Sequence, residues 1–289
     1  MKFSIVTPSY NQGEFIERTL QSVLSQEGVT LEYVIFDGGS RDLTVDILKQ
    51  YGAKHGDRLR WTSEKDRGQT HAVNKGIKST SGEIIGWLNS DDIYYPGSLR
   101  AVADYFAAHP EVDVLYGSAD HIDADDRHIN PYPVEPWNFQ RMLETCIICQ
   151  PAAFFRRHVV ETHGLLNESL QYCMDYEFWL RLGAAGITFE CMERKLAGSR
   201  MYAQNKTLGA RRSVHAEING MMKRKFGRVP ESWLLNYAHI VAEESFERRK
   251  NPRLFVYTFG FQALLAELRW NKRLSFEIRR KVWNWWTNK

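Results

Sequence analysis

Five short apolar runs punctuate the first 117 residues: Phe3–Thr7, Leu31–Phe36, Leu59–Thr62, Ile84–Leu88 and Val112–Tyr116. Between them, apolar side chains recur at helical spacing. Phe15, Leu20, Val23 and Leu24 follow the first run, Val45, Ile47, Leu48 and Tyr51 the second, Ala72, Val73 and Ile77 the third, and a helix over 97–108 the fourth. Strand and helix in strict alternation predict an α/β fold, a mostly parallel sheet flanked by helices. Parallel strands place their C-terminal ends along one edge, where ligands of such sheets bind.

The groups at those ends are polar. Thr7-Pro8-Ser9-Tyr10-Asn11 closes the first run, Asp37-Gly38-Gly39 the second, and Asn89-Ser90-Asp91-Asp92 the fourth. Adjacent carboxylates at a sheet edge suit a hard divalent cation, Mn²⁺ or Mg²⁺, and through it phosphate oxygens. Tyr10 offers an aromatic face for a base, and Asp37 a carboxylate for a base N–H. Each also has a plainer reading. Asp91 can cap the helix opening near Pro96, Asp92 and Asp37 can sit in turns, and Tyr10 can be a half-buried tyrosine. The chain has no Gly-x-Gly-x-x-Gly after the first run and no Gly-x-x-x-x-Gly-Lys-Ser/Thr. Any phosphate held here is therefore held by a metal and side chains.

In the second half, Asp120–Asn130 reads as a polar loop, and 150–157 as a strand returning to the core before a helix to His163. Met174-Asp175-Tyr176-Glu177-Phe178-Trp179 opens another helix. The dipole there keeps Asp175 ionised, and such a carboxylate on a pocket wall can take a proton from a hydroxyl. Simple N-capping is the alternative, and Glu177 is a reserve base.

Cys146-Ile-Ile-Cys149 lacks a second CxxC or a His pair, so reduced thiols and a cytoplasmic setting are expected. No run is long and apolar enough for a spanning helix. Charge is uneven. From Arg248 to Lys289, eleven Lys or Arg stand against Glu267 and Glu277, a net +9, which leaves −6 for the rest of a chain totalling +3. The reading is therefore a domain over 1–210, halved at 117/118, and a basic helical extension over 211–289. In the extension, Leu274, Ile278, Val282 and Trp285 share one helical face beside Trp283 and Trp286. Such a helix can lie on the inner face of a membrane, or pack on the first domain or on another subunit of a homo-oligomer. No nucleic-acid motif appears.

These motifs together resemble the family 2 glycosyltransferases of the GT-A fold, over about the first hundred residues. The matches are Thr7-Pro8-Ser9-Tyr10-Asn11, Asp37-Gly38-Gly39-Ser40-Arg41-Asp42, Asp66-Arg67-Gly68-Gln69 with Asn74-Lys75-Gly76, and Asn89-Ser90-Asp91-Asp92. The resemblance implies an inverting, metal-dependent transfer from a nucleotide-diphosphate sugar, with a UDP-sugar as the expected donor. The acceptor is a saccharide or lipid-linked glycan, in cell-surface polysaccharide biosynthesis. By the same resemblance Thr7, Pro8, Tyr10 and Asp37 hold the base and ribose, and Arg67 and Asn74 face the diphosphate sugar. Asn89, Ser90 and Asp91 complete the donor site, Asp91 and Asp92 bind the metal, and Asp175 is the general base. Three positions depart from the family pattern: Asn89 for the first Asp of Asp-x-Asp, Met174 for a Glu, and Tyr202 for a His before Asn205-Lys206-Thr207. Two other readings are a catalytically silent nucleotide-sugar-binding scaffold and a nucleotide-dependent oxidoreductase. The missing glycine fingerprint argues against the latter.

Overall fold

The computed structural model describes residues 1–287. The chain divides into two compact units, one of 1–139 with 146–202, the other of 140–145 with everything from Ala203 onward. The break at 202/203 falls earlier than the 210/211 boundary read from sequence.

The first unit is built on a nine-stranded sheet. In chain order its strands are β1 (Lys2–Ser9), β2 (Thr30–Asp37), β3 (Leu59–Ser63), β4 (Ile84–Trp87), β5 (Ile93–Tyr94), β6 (Val114–Ile122), β7 (His128–Pro131), β8 (Ala153–Arg156) and β9 (Phe189–Arg200). They lie in the order β3-β2-β1-β4-β8-β6-β9-β5, with β7 on β6. The half β3-β2-β1-β4 is wholly parallel, as the alternation implies. Beyond it the sheet is mixed. β8 returns antiparallel against both β4 and β6, β9 runs parallel to β6, and β5 pairs antiparallel with β9.

Burial on both faces explains the unbroken apolar character of the central strands. Phe3, Ile5, Val6, Ile84 and Ile85 are all fully inaccessible. The segments between strands form α1 (Ile16–Leu24), α2 (Thr44–His55), α3 (Gln69–Lys78) and α4 (Ser98–Ala108). α1 buries Ile16, Leu20, Val23 and Leu24, one stripe at helical spacing. α3 lies so close to β1 that a Cβ on Gly76 would stand 2.2 Å from Val6 Cγ1. Only a residue without a side chain permits that approach, which gives the Asn74-Lys75-Gly76 motif a packing reason.

The stretch 120–130 is not a loop. β6 continues to Ile122 and makes a hairpin with β7, whose turn is fastened by Asp123 Oδ1 accepting from the N–H groups of Asp125 and Arg127. All four β7 residues are exposed, so this edge strand carries no apolar alternation to announce it. α5 (Phe139–Glu144), α6 (Arg157–His163) and α7 (Met174–Ala184) complete the middle of the chain.

The second unit is helical: α8 (Lys206–Gly209), α9 (Arg211–Phe226), α10 (Glu231–Ser245), α11 (Pro252–Asn271) and α12 (Phe276–Thr287). Ser232 Oγ and Trp233 Nε1 donate to the carbonyls of Glu144 and Leu143, which ties 140–145 to this unit. Asn271 exchanges two hydrogen bonds with the backbone of Val229, and the buried Glu267 accepts from Ser275 N at 2.9 Å just ahead of α12. Ile278 and Val282 are buried, and Trp285 stacks on Phe259 of α11 at 4.7 Å. That apolar face of α12 therefore packs on protein.

Candidate active site

In register, Ser9 lies opposite Asp37 and Asp37 opposite Ser63, while β4 pairs with the same β1. The ends of these four strands thus share one edge, as parallel pairing requires. Tyr10 stands just past β1 with its side chain 59% exposed. Asn11, in the left-handed region at φ 52°, accepts from Arg41 N and donates its own N–H to Ser40 Oγ. The turns after β1 and β2 are thereby joined.

Asp37 is buried, and its carboxylate accepts from Gly39 N, Ser40 N, Ser40 Oγ and Ser63 Oγ. Three donors from the turn itself and one from the end of β3 make it the fastener of the glycine turn. Thr7 is also turned inward. It is inaccessible, and its hydroxyl shares a 3.0 Å hydrogen bond with Tyr33. Its side chain therefore belongs to the core, contrary to the expected donor contact, and Pro8 beside it is buried as well.

Asn74 departs from expectation in the same way. Its amide donates to Leu166 O at 2.9 Å and Glu168 Oε1 at 3.1 Å and accepts from Leu166 N at 3.1 Å. It holds the segment 166–168 against α3. Arg67 is exposed and paired with Glu168 at 2.6 Å. Its hydrogen bond, then that of Asn74, holds the Glu168 carboxyl below the usual range.

Past β4, Asn89 is a hub. Its carbonyl oxygen accepts from Gln69 Nε2 and Trp87 Nε1, and its amide donates to Gln150 Oε1 and Asp92 Oδ2. Ser90 is buried, and its carbonyl accepts from Thr19. The two acids that follow are unlike. Asp92 is buried, with Oδ1 accepting from Arg200 N at 2.9 Å and Oδ2 from Asn89. Burial, then the Asp91 charge, pushes it up to about 8. Asp91 is half-buried, and its Oδ2 accepts from Tyr202 Oη at 2.9 Å. Burial raises it too, against the Tyr202 hydrogen bond.

Arg200 anchors the pair from the end of β9. Its Nε donates to Asp91 O at 2.6 Å and its Nη1 to Asp123 O at 2.9 Å, it is ion-paired with Asp126, and its guanidinium lies over the Phe15 ring. Tyr202 packs on the same ring at 4.7 Å. Two neighbouring acids whose burial favours neutralisation fit a divalent cation. No set of three His, Cys, Asp or Glu side chains gathers among the described residues, so the remaining ligands would be diphosphate oxygens and water, as is usual for Mg²⁺. Asp91 is the better placed of the two, because Asp92 already spends both oxygens on the protein.

Asp175 is the second residue of α7. The cap position is Cys173, which excludes simple N-capping. It is half-buried. Its charge helps raise the thiol of Cys146, pushed up to about 12 mainly by burial. Burial, then the charges of Asp92 and Asp175 among others, raise the Cys149 thiol as well. Glu177 is buried and paired with Arg181 at 3.2 Å, so the reserve base is set aside. Arg200, Gln69, Gln150 and Glu168 were not among the expected site residues. Gln69 ends the Asp66–Gln69 motif and Arg200 stands two residues before Tyr202, but their partners are distant in sequence, so spacing alone does not show what they hold.

A parallel half-sheet with these groups at its C-terminal edge defines an α/β protein of the GT-A type. The chain belongs to glycosyl transferase family 2, whose profile matches residues 4–164. Relatives include an uncharacterised glycosyltransferase of Rickettsia felis, 30% identical over 88% of this chain and 41% of its own. Chondroitin synthase of Escherichia coli is 31% identical over 68% and 29%. A PGL/p-HBAD biosynthesis glycosyltransferase of Mycobacterium bovis is 31% identical over 62% and 68%. The chain thus spans well under half the length of the first two of these curated relatives. Among solved structures, S. aureus TarS 1-349 in complex with UDP-GlcNAc aligns with a TM-score of 0.65 over 99% of this chain and 87% of that one, at 17% identity. The mannosyltransferase PcManGT from Pyrobaculum calidifontis, in complex with GDP-Man and Mn²⁺, aligns at 0.60 over 98% and 78%, also at 17%.

Proposed function

We propose that this chain transfers a glycosyl group from a nucleotide-diphosphate sugar, with a UDP-sugar as the expected donor, to a hydroxyl of a saccharide or lipid-linked acceptor. The observation that carries the reading is the anchored acid pair Asp91–Asp92, held by Arg200 at the sheet edge that also presents Tyr10. Relatives named for chondroitin and PGL/p-HBAD synthesis support a glycan product. Structures containing UDP-GlcNAc, or GDP-Man with Mn²⁺, support the donor class and the metal.

In this mechanism Tyr10 stacks on the base, the Asp37-fastened turn shapes its pocket, and Asp91 holds the cation. A bound Mn²⁺ or Mg²⁺ supplies neutralisation of the charge on the diphosphate. Asp175 takes the acceptor hydroxyl proton onto its carboxylate as the oxygen bonds to the anomeric carbon. The bond from that carbon to the diphosphate oxygen breaks in the same displacement, so the anomeric configuration inverts. General base catalysis contributes roughly 10²–10⁴-fold.

Nucleoside diphosphate release from UDP- and GDP-sugars with Mn²⁺ or Mg²⁺ tests the reading. Asp175→Asn is expected to keep donor affinity while losing about 10²-fold or more in turnover. Wild-type protein that binds a donor but never turns it over, with Asp175→Asn indistinguishable from it, is instead the behaviour of a binding scaffold.

A further inference from the structure

No helix among the described residues is long and apolar enough to cross a membrane, yet the second unit exposes much apolar surface. Leu254, Tyr257, Phe261, Leu265 and Leu268 of α11 are each between 42% and 53% exposed. Their spacing of three, four, four and three residues keeps them within about 80° of helix surface at 3.6 residues per turn. They form one continuous stripe. A run of this size on a folded surface marks an interaction site.

Its borders carry one sign of charge. Arg253 and Arg269, both exposed, flank the stripe on either side, and Lys272 and Arg273 follow at its C-terminal end. α12 repeats the pattern, with Phe276 64% and Trp283 67% exposed on the same face as the exposed Arg279 and Arg280. Arg280 lies over the Phe276 ring. Of the acids from 252 to 287, Glu267 is buried and Glu277 lies off the Phe276–Trp283 face.

We infer that the stripe of α11, together with the Phe276–Trp283 face of α12, docks on an anionic lipid surface. Exposed aromatic and aliphatic side chains enter the acyl boundary while the flanking arginines meet lipid phosphates. A second copy of the chain is the competing occupant, but an isologous pairing through this face sets arginines against arginines with no acid to offset them. The stripe differs from the apolar face of α12 read from sequence, since Ile278 and Val282 are buried in the unit.

Sedimentation of the full chain with phosphatidylcholine vesicles, with and without about a third phosphatidylglycerol, tests the inference. Binding is expected to be about tenfold stronger to the anionic vesicles and to weaken with added salt. The double substitution Phe261→Gln, Leu265→Gln is expected to lower binding to anionic vesicles about tenfold. Arg253→Glu with Arg269→Glu removes the anionic preference. All four positions are exposed, and an unchanged urea midpoint verifies folding. Equal binding to both vesicles, or binding to neither, overturns the inference. So does a dimer in sedimentation velocity that Phe261→Gln, Leu265→Gln dissolves, because the occupant is then a second copy.

Discussion

Asp91 and Asp92 are neighbours in sequence with opposite assignments. Asp92 holds the end of β9 by accepting from Arg200 N and also receives the Asn89 amide, whereas Asp91 spends one oxygen on Tyr202. Removing each has a different signature. Asp92→Ala strands the buried Arg200 N–H and removes an acceptor of the Asn89 amide, so it is expected to lower stability in urea by about 1–3 kcal/mol. Asp91→Ala leaves the metal-free protein near wild-type stability, yet it is expected to abolish the thermal shift produced by a nucleoside diphosphate with Mn²⁺. An Asp91→Ala protein that keeps the full Mn²⁺-dependent shift would move the metal away from this position. The local motif predicts acids at this edge. It does not say which one has its oxygens taken, because Arg200 and Tyr202, which claim one oxygen on each, come from 108 and 111 residues away.

At the scale of elements, the site depends on how closely helices can approach the sheet. α3 brings both Gln69, which feeds the Asn89 hub, and Asn74, which holds 166–168. Gly76 sets its distance from β1. Gly76→Ala is expected to destabilise by about 1–3 kcal/mol through overpacking against Val6. Val6→Ala in the same protein should restore part of that loss, read as a double-mutant cycle in urea. An additive cycle would mean that the helix is held off the strand by some other contact. Thr7 and Asn74 show why expected donor residues can face away from the edge. Each has its polar atoms satisfied inside the fold, by Tyr33 and by the Leu166 backbone with Glu168. The pattern of residue types is the same whether such a group points to a ligand or to a neighbouring strand.

At the scale of the whole molecule, acid should weaken the second unit in a defined window. Burial, then the Arg211 charge, pushes His215 down to about 4 from the ordinary 6.5. Its Nδ1 is buried without a partner and its ring leans on Trp233. Between pH 6.5 and about 4 the unfolded chain binds a proton that the folded imidazole refuses, so stability falls as pH drops through that window and is level above it. Urea midpoints at several pH values, in wild type and His215→Gln, check this. The variant is expected to show a shallower decline.

The sequence by itself determined the alternation of strand and helix, and with it the parallel half of the sheet and the edge at which Tyr10, Asp37 and the Asn89–Asp92 segment gather. Those features follow from periodicity and from the polar stop after each apolar run, which are local. Only the tertiary structure decided that the sheet turns mixed beyond β4, that Asp37, Thr7 and Asn74 spend their polar atoms on the protein, and that Arg200 holds the acid pair. It alone also separated the face of α12 that packs inward from the stripe of α11 left exposed. A side chain's role depends on which distant groups take its hydrogen bonds and cover its surface, and spacing along the chain carries no record of either.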